Sequence, residues 1–154
     1  MRSIIKIFVI VLMVSGIVKV QAQEEIEKQA VSPEAAAEIK EISIESLPPV
    51  VTKTVPQSGD LAVDPALKEI SVSFSKDMMQ QDMWAWVMVS KDSFPEITGN
   101  IKFLDDGRTC VAPVELKPNK TYAIWFNSEN HTAFRCINGC SAVPYLLVFQ
   151  TKSE

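Results

Sequence analysis

From Val50 onward apolar and polar residues alternate with a period of two, the pattern of strands that bury one face. The segment "LKEISVSFS" is the cleanest. Ile70, Val72 and Phe74 point one way, and Glu69, Ser71, Ser73 and Ser75 point the other. Six further segments read as strands. "VVTKTVP" comes first and "MWAWVMVS" third, while "TGNIKFL" and "RTCVAPVEL" flank "DDG" at Asp105 to Gly107, a hairpin turn signal. "KTYAIWFN" and "PYLLVFQT" are the sixth and seventh. In the fifth, Cys110, Ala112, Val114 and Leu116 share a face. Pro113 points away from that face and removes one ladder donor, which predicts an edge strand or a bulge.

Short strands, regular turn signals and no helical period predict an all-β fold, a seven-stranded antiparallel sandwich of Ig-like size. The segment from Val50 to Lys152 supplies the roughly 100 residues that architecture needs. "LKPNKTY" places Tyr122 at the start of the sixth strand, where its hydroxyl can turn back to upstream backbone as a tyrosine corner. The third strand poses a choice. Trp84, Trp86 and Met88 fall on one side, and Met83, Ala85, Val87 and Val89 on the other. The expectation is that the tryptophan pair enters the core, leaving Ala85 and Val87 facing out beside Trp125.

The segment before Val50 differs. "MRSIIKIFVIVLMVSGIVKVQA" has a basic start at Arg2 and Lys6, an apolar run from Ile7 to Val18 and a "VQA" end, which reads as a signal peptide over 1–22. The apolar run of 12 residues is short of the roughly 20 that span a bilayer, so no stable membrane anchor is expected after cleavage. Residues 23–48 read as a linker with a short helix, "SPEAAAEIKEI", capped by Ser32 and Pro33 and stopped at Pro48 and Pro49. The domain itself is expected over 49–152. Cleavage would remove three basic residues and no acidic ones, changing 15 basic against 19 acidic into 12 against 19, a net charge of −7. That balance argues against nucleic acid, whose phosphates demand a basic stripe.

The run "TVPQSGDLAVDPALKEISVSFSKDM" resembles the opening of the SbsA-type bacterial Ig-like domain. Pro56, Gly59, Val63, Pro65, Ile70, Val72, Phe74, Ser75 and Met78 carry the pattern, and the later "L-x-P-x-x-x-Y" and closing Phe149 and Thr151 continue it. The resemblance implies a non-catalytic β-sandwich in exported bacterial proteins, with no transferable catalytic residues. It places the chain in the periplasm or outside the cell, with an envelope protein or a glycan as the expected partner. Similar domains with a Trp-x-Trp strand usually carry "F-x-D-x-x-G" before the last strand; here "FRCINGCSAVPY" puts Cys136 where an acidic residue is common.

Chemistry-bearing residues are few. Cys136 and Cys140 close the loop "CINGC", whose Asn138 and Gly139 suit a tight turn, and an oxidising compartment favours a disulfide between them. A ring that small contributes only about 2 kcal/mol by loop entropy. His131 with Cys136, Cys140 and Cys110 is the rival reading as zinc ligands, but H-x4-C-x3-C is no established closed pattern, and no metal or cofactor is expected. His131 lacks a partner nucleophile motif, and Asp105 and Asp106 read as turn residues rather than calcium ligands. No phosphate-binding glycine motif occurs. An enzyme is therefore not expected. Trp84, Trp86 and Trp125 are the candidate binding face, since one aromatic set can fill the core while another meets a partner.

Overall fold

The computed structural model describes residues 42–81 and 84–153. The expected signal peptide and linker helix fall outside those residues, save for Ile42 at the helix end. Ile42 to Glu154 make up one compact unit. Among the described residues there are eight strands: β1 (Val51–Val55), β2 (Glu69–Phe74), β3 (Trp86–Met88), β4 (Glu96–Ile97), β5 (Lys102–Phe103), β6 (Thr109–Glu115), β7 (Thr121–Phe126) and β8 (Tyr145–Gln150). All pairings between these strands are antiparallel. One sheet runs β1-β2-β6-β4 with β5 also on β6, and the other runs β3-β7-β8. That division of strands between two sheets is the Ig-like arrangement.

The count is eight rather than seven because the expected fourth strand is split. Glu96 and Ile97 pair with Glu115 and Val114, whereas Lys102 and Phe103 pair with Val111 and Cys110. Four edge residues, Thr98 to Ile101, thus stand opposite two on β6, Ala112 and Pro113. The cause is Pro113. Its carbonyl accepts from the Thr98 N–H at 2.9 Å, so its nitrogen faces the same edge and has no proton to give. Gly99 passes close to the ring; a Cβ there would lie 3.3 Å from Pro113 Cγ. The proline is not on an edge strand. It lies on the central β6 and breaks the neighbour instead.

The inward faces match the period-two reading. Ile70, Val72 and Phe74 of β2, Cys110, Ala112 and Val114 of β6, Tyr122, Ile124 and Phe126 of β7, and Leu147 and Phe149 of β8 are all buried. Asp105 to Gly107 make the β5–β6 turn. Gly107 takes the left-handed conformation at φ 68° that a Cβ would strain, and Asp106 accepts from the N–H groups of Arg108 and Thr109.

Tyr122 makes the corner. Its hydroxyl accepts from the Lys117 N–H at 2.7 Å, while its ring stacks on Phe149 at 5.3 Å. Thr151 completes the knot. Its buried hydroxyl donates to the Lys117 carbonyl at 2.7 Å and accepts from the Lys120 N–H at 2.9 Å. The end of β8 is thereby tied to the β6–β7 turn.

Candidate functional site

The three tryptophans do not share a face. Trp86 is the first residue of β3 and pairs with Phe126, its ring edge-on to the phenyl at 4.8 Å. Its indole N–H is buried without a full hydrogen bond and is turned to the Cys110 sulfur. Trp86 therefore belongs to the core side of the sheet. Val87 pairs with Trp125 on the opposite side, as the strand alternation requires. Ala85 departs from the expected pattern. It is buried and packs with the core cluster, and its carbonyl accepts from the Asn127 N–H at 3.1 Å.

Trp125 occupies the outward face of β3-β7-β8. Val87 and Leu146 are its cross-strand partners on either side, and Ala123 pairs with Val148 next along the same face. Every one of these five positions is apolar. Leu146 is 36% exposed, and Trp125, Val87, Ala123 and Val148 are half-buried. Most outward positions of the larger sheet are instead Glu69, Ser71, Ser73, Thr109 and Glu115, and the Ser73 and Thr109 hydroxyls bond each other at 2.9 Å.

Trp84 precedes β3 and lines a shallow hollow of about 410 Å³ between β3 and the broken β4–β5 edge, with Trp86, Phe94, Ile97, Ile101 and His131 around it. His131 sits on a tight turn where its backbone exchanges hydrogen bonds with Ser128. It is exposed, whereas Cys110 is buried on β6. No group of three metal-ligating side chains is assembled among the described residues.

The loop from Asn127 to Pro144 holds the residues that the sequence reading missed. Phe134 is fully buried in it and packs against Phe74 at 4.9 Å and Phe103 and Phe126 at 6.2 Å, closing the open end of the core. Asn127 holds it there. Its amide donates to the Phe134 and Ala142 carbonyls at 3.0 and 2.9 Å and accepts from the Phe134 N–H at 2.9 Å. The left-handed φ of 60° at Asn127 aims the side chain inward, and asparagine tolerates that region better than most residues. An asparagine closing "IWFN" at the end of a strand was the available signal.

Beyond Phe134 the loop folds back as a small hairpin. Arg135 bridges Ser141, the Cys136 N–H donates to the Cys140 carbonyl at 2.9 Å, and Gly139 turns at φ 83°. Cys136 and Cys140 are not bonded to each other in this structure. The hairpin docks on the β2–β3 loop through Ile137 N–H to the Asp77 carbonyl and Met79 N–H to the Arg135 carbonyl, at 3.1 and 2.9 Å. Asp77 also pairs with Arg108 of the β5–β6 turn at 2.6 Å, and the Met78 N–H reaches the Gly107 carbonyl at 2.8 Å. Three loops are thus knitted into one end of the sandwich.

Residues 45–151 match the family model described as a bacterial Ig-like domain. Among solved structures the chain is similar to the surface layer protein SbsC, domains 1-6, at 14% identity and a TM-score of 0.40 over 70% of this chain and 14% of that one. It is also similar to the S-layer protein rSbsC(31-844), at 15% identity and a TM-score of 0.45 over 87% of this chain and 16% of that one. The chain thus spans less than a fifth of those proteins. No curated protein matches it.

Proposed function

Since this chain belongs to the bacterial Ig-like domain family, we propose that it works as an exported, non-catalytic module that makes a structural contact at the cell envelope through the outer face of β3-β7-β8. The family is one of non-enzymatic domains. The observation that carries the reading is the stripe of Val87, Trp125, Leu146, Ala123 and Val148, apolar at every position. Its chemistry selects a protein partner. A sugar platform needs hydrogen-bonding side chains beside the ring to meet hydroxyl groups, whereas the register neighbours of Trp125 are aliphatic. An apolar protein surface asks only for burial, at about 25 cal/mol for each Å² covered.

The second reading, glycan binding, keeps one observation in its favour, the half-buried indole of Trp125 at the middle of the face. Sedimentation of purified chain with an envelope fraction separates the two. A protein partner predicts that binding is lost when the fraction is pretreated with protease. Binding that survives protease and is lost on periodate oxidation of the sugars would replace this reading with the glycan one.

A further inference from the structure

We propose that Cys136 and Cys140 form a dithiol site that accepts a disulfide from an organic disulfide donor, with Cys140 as the entry thiol and Cys136 as the resolving one. The two cysteines stand opposite each other in the hairpin, one residue inside the Arg135–Ser141 bridge. Directly opposed residues of an antiparallel pair have Cα atoms about 4.5–5.5 Å apart, inside the span that a disulfide bridges. The Cys136 N–H donates to the Cys140 carbonyl at 2.9 Å, which holds the two residues in register.

Accessibility divides the roles. Cys140 is half-exposed, so an incoming donor reaches its sulfur, while Cys136 is 2% exposed and lies behind it. The environment suits Cys136 to the second step. Desolvation alone would raise its pKa, but the N–H groups of Asn138 and Cys140, the Cys140 thiol and the Lys76 ammonium together bring it below the ordinary thiol value.

The chemistry balances as two exchanges. The Cys140 thiolate attacks one sulfur of the donor, forming a mixed disulfide and releasing one donor thiolate. The Cys136 thiolate then attacks the Cys140 sulfur, closing the Cys136–Cys140 bond and expelling the second donor thiolate. The protein loses two protons and two electrons, and the donor is reduced to two thiols. Cys110 takes no part. It is fully buried on β6, and burial pushes its thiol up to about 12 despite the nearby Trp86 and Val111 N–H groups. An odd cysteine count thus resolves into one reactive pair and one inert core residue. Closure would fix the hairpin that joins the Asp77–Met79 segment to the core.

Oxidised glutathione added to the reduced full chain is the test, followed by acid quenching, intact mass and peptide mapping. The wild type is expected to lose two hydrogen atoms, with a transient glutathione adduct mapped to Cys140 alone. Cys136→Ser is expected to hold that adduct stably, and Cys140→Ser to form one at least tenfold more slowly. Because the wild type reports the order of attack by itself, a variant that misfolds does not remove the test. A first adduct on Cys136, equal rates in the two variants, or a stable wild-type adduct that never closes would overturn the proposal.

Discussion

Replacing Asn127 should cost the domain more than any other single polar change at its loop end, and the size can be worked from its partners. The side chain makes three buried hydrogen bonds to the loop backbone. The Phe134 carbonyl would keep its bond from the Ala142 N–H at 2.8 Å, so truncation orphans two groups, the Phe134 N–H and the Ala142 carbonyl. At about 1–3 kcal/mol for each buried group left unmade, Asn127→Gly should cost roughly 3–4 kcal/mol. Asn127→Ala should lose about 1 kcal/mol more, because a Cβ is disfavoured at φ 60° and alanine lacks the local hydrogen bonding that helps asparagine there. For a domain of this size the glycine variant should melt roughly 10–15 °C lower. Urea unfolding followed by tryptophan fluorescence and by circular dichroism measures both variants. A glycine variant within about 1 kcal/mol of wild type would refute the assignment of Asn127 as the anchor of Phe134.

Three further predictions follow from single contacts. Tyr122→Phe removes the Lys117 bond while keeping the stack on Phe149, so a loss of about 1–2 kcal/mol is expected, and an unchanged unfolding midpoint would remove the corner from the account. Cys110 should resist N-ethylmaleimide at pH 8 in the folded chain and react once urea unfolds it; modification of the folded protein at Cys110 would contradict its placement. Asp106 has its carboxyl held below the ordinary value, first by the Thr109 hydroxyl and then by the Arg108 and Thr109 N–H groups. A depressed pKa contributes stability above the unfolded value of about 3.9 and loses it as pH falls through the folded value. Asp106→Asn should therefore flatten the loss of stability below about pH 4, and urea midpoints at pH 7 and pH 3 that shift in parallel with wild type would count against it.

Much of the fold was legible because β2 and β7 obey the period-two rule. Ile70, Val72 and Phe74 face inward, as their spacing required. The corner at Tyr122 and the turn at Asp105 to Gly107 were equally local, each set by a few adjacent residues. The split of β4 from β5 was half legible. Pro113 announced a broken ladder, but which neighbour would break depended on the side its missing proton faces, a matter of register.

The outward face was legible only in part: the alternation set Val87 and Trp125 on one side, but which residues of β8 would join them depended on register. "WVM", "YAIWF" and "YLLVF" are apolar on both faces, and periodicity alone reads that as burial on both sides. The three strands with unbroken apolar runs turn out to be the three of one sheet, and its outward side is the stripe around Trp125. Asn127 and Phe134 were illegible because their partners lie across a loop with no period. Trp86 and Trp125 lie on opposite sides because Trp86 pairs with Phe126 and Val87 pairs with Trp125.

The central claim is that the outer face of β3-β7-β8 is the contact surface, and one substitution tests it. Trp125→Thr keeps a strand-forming residue on β7 and removes the indole from the stripe. Co-sedimentation of wild-type and variant chains with the same envelope fraction, scored beside their melting temperatures, is the measurement. The account predicts that the variant stays folded and its sedimentation falls at least tenfold, with protease pretreatment of the envelopes abolishing wild-type binding. A folded Trp125→Thr chain that sediments as well as wild type would contradict it.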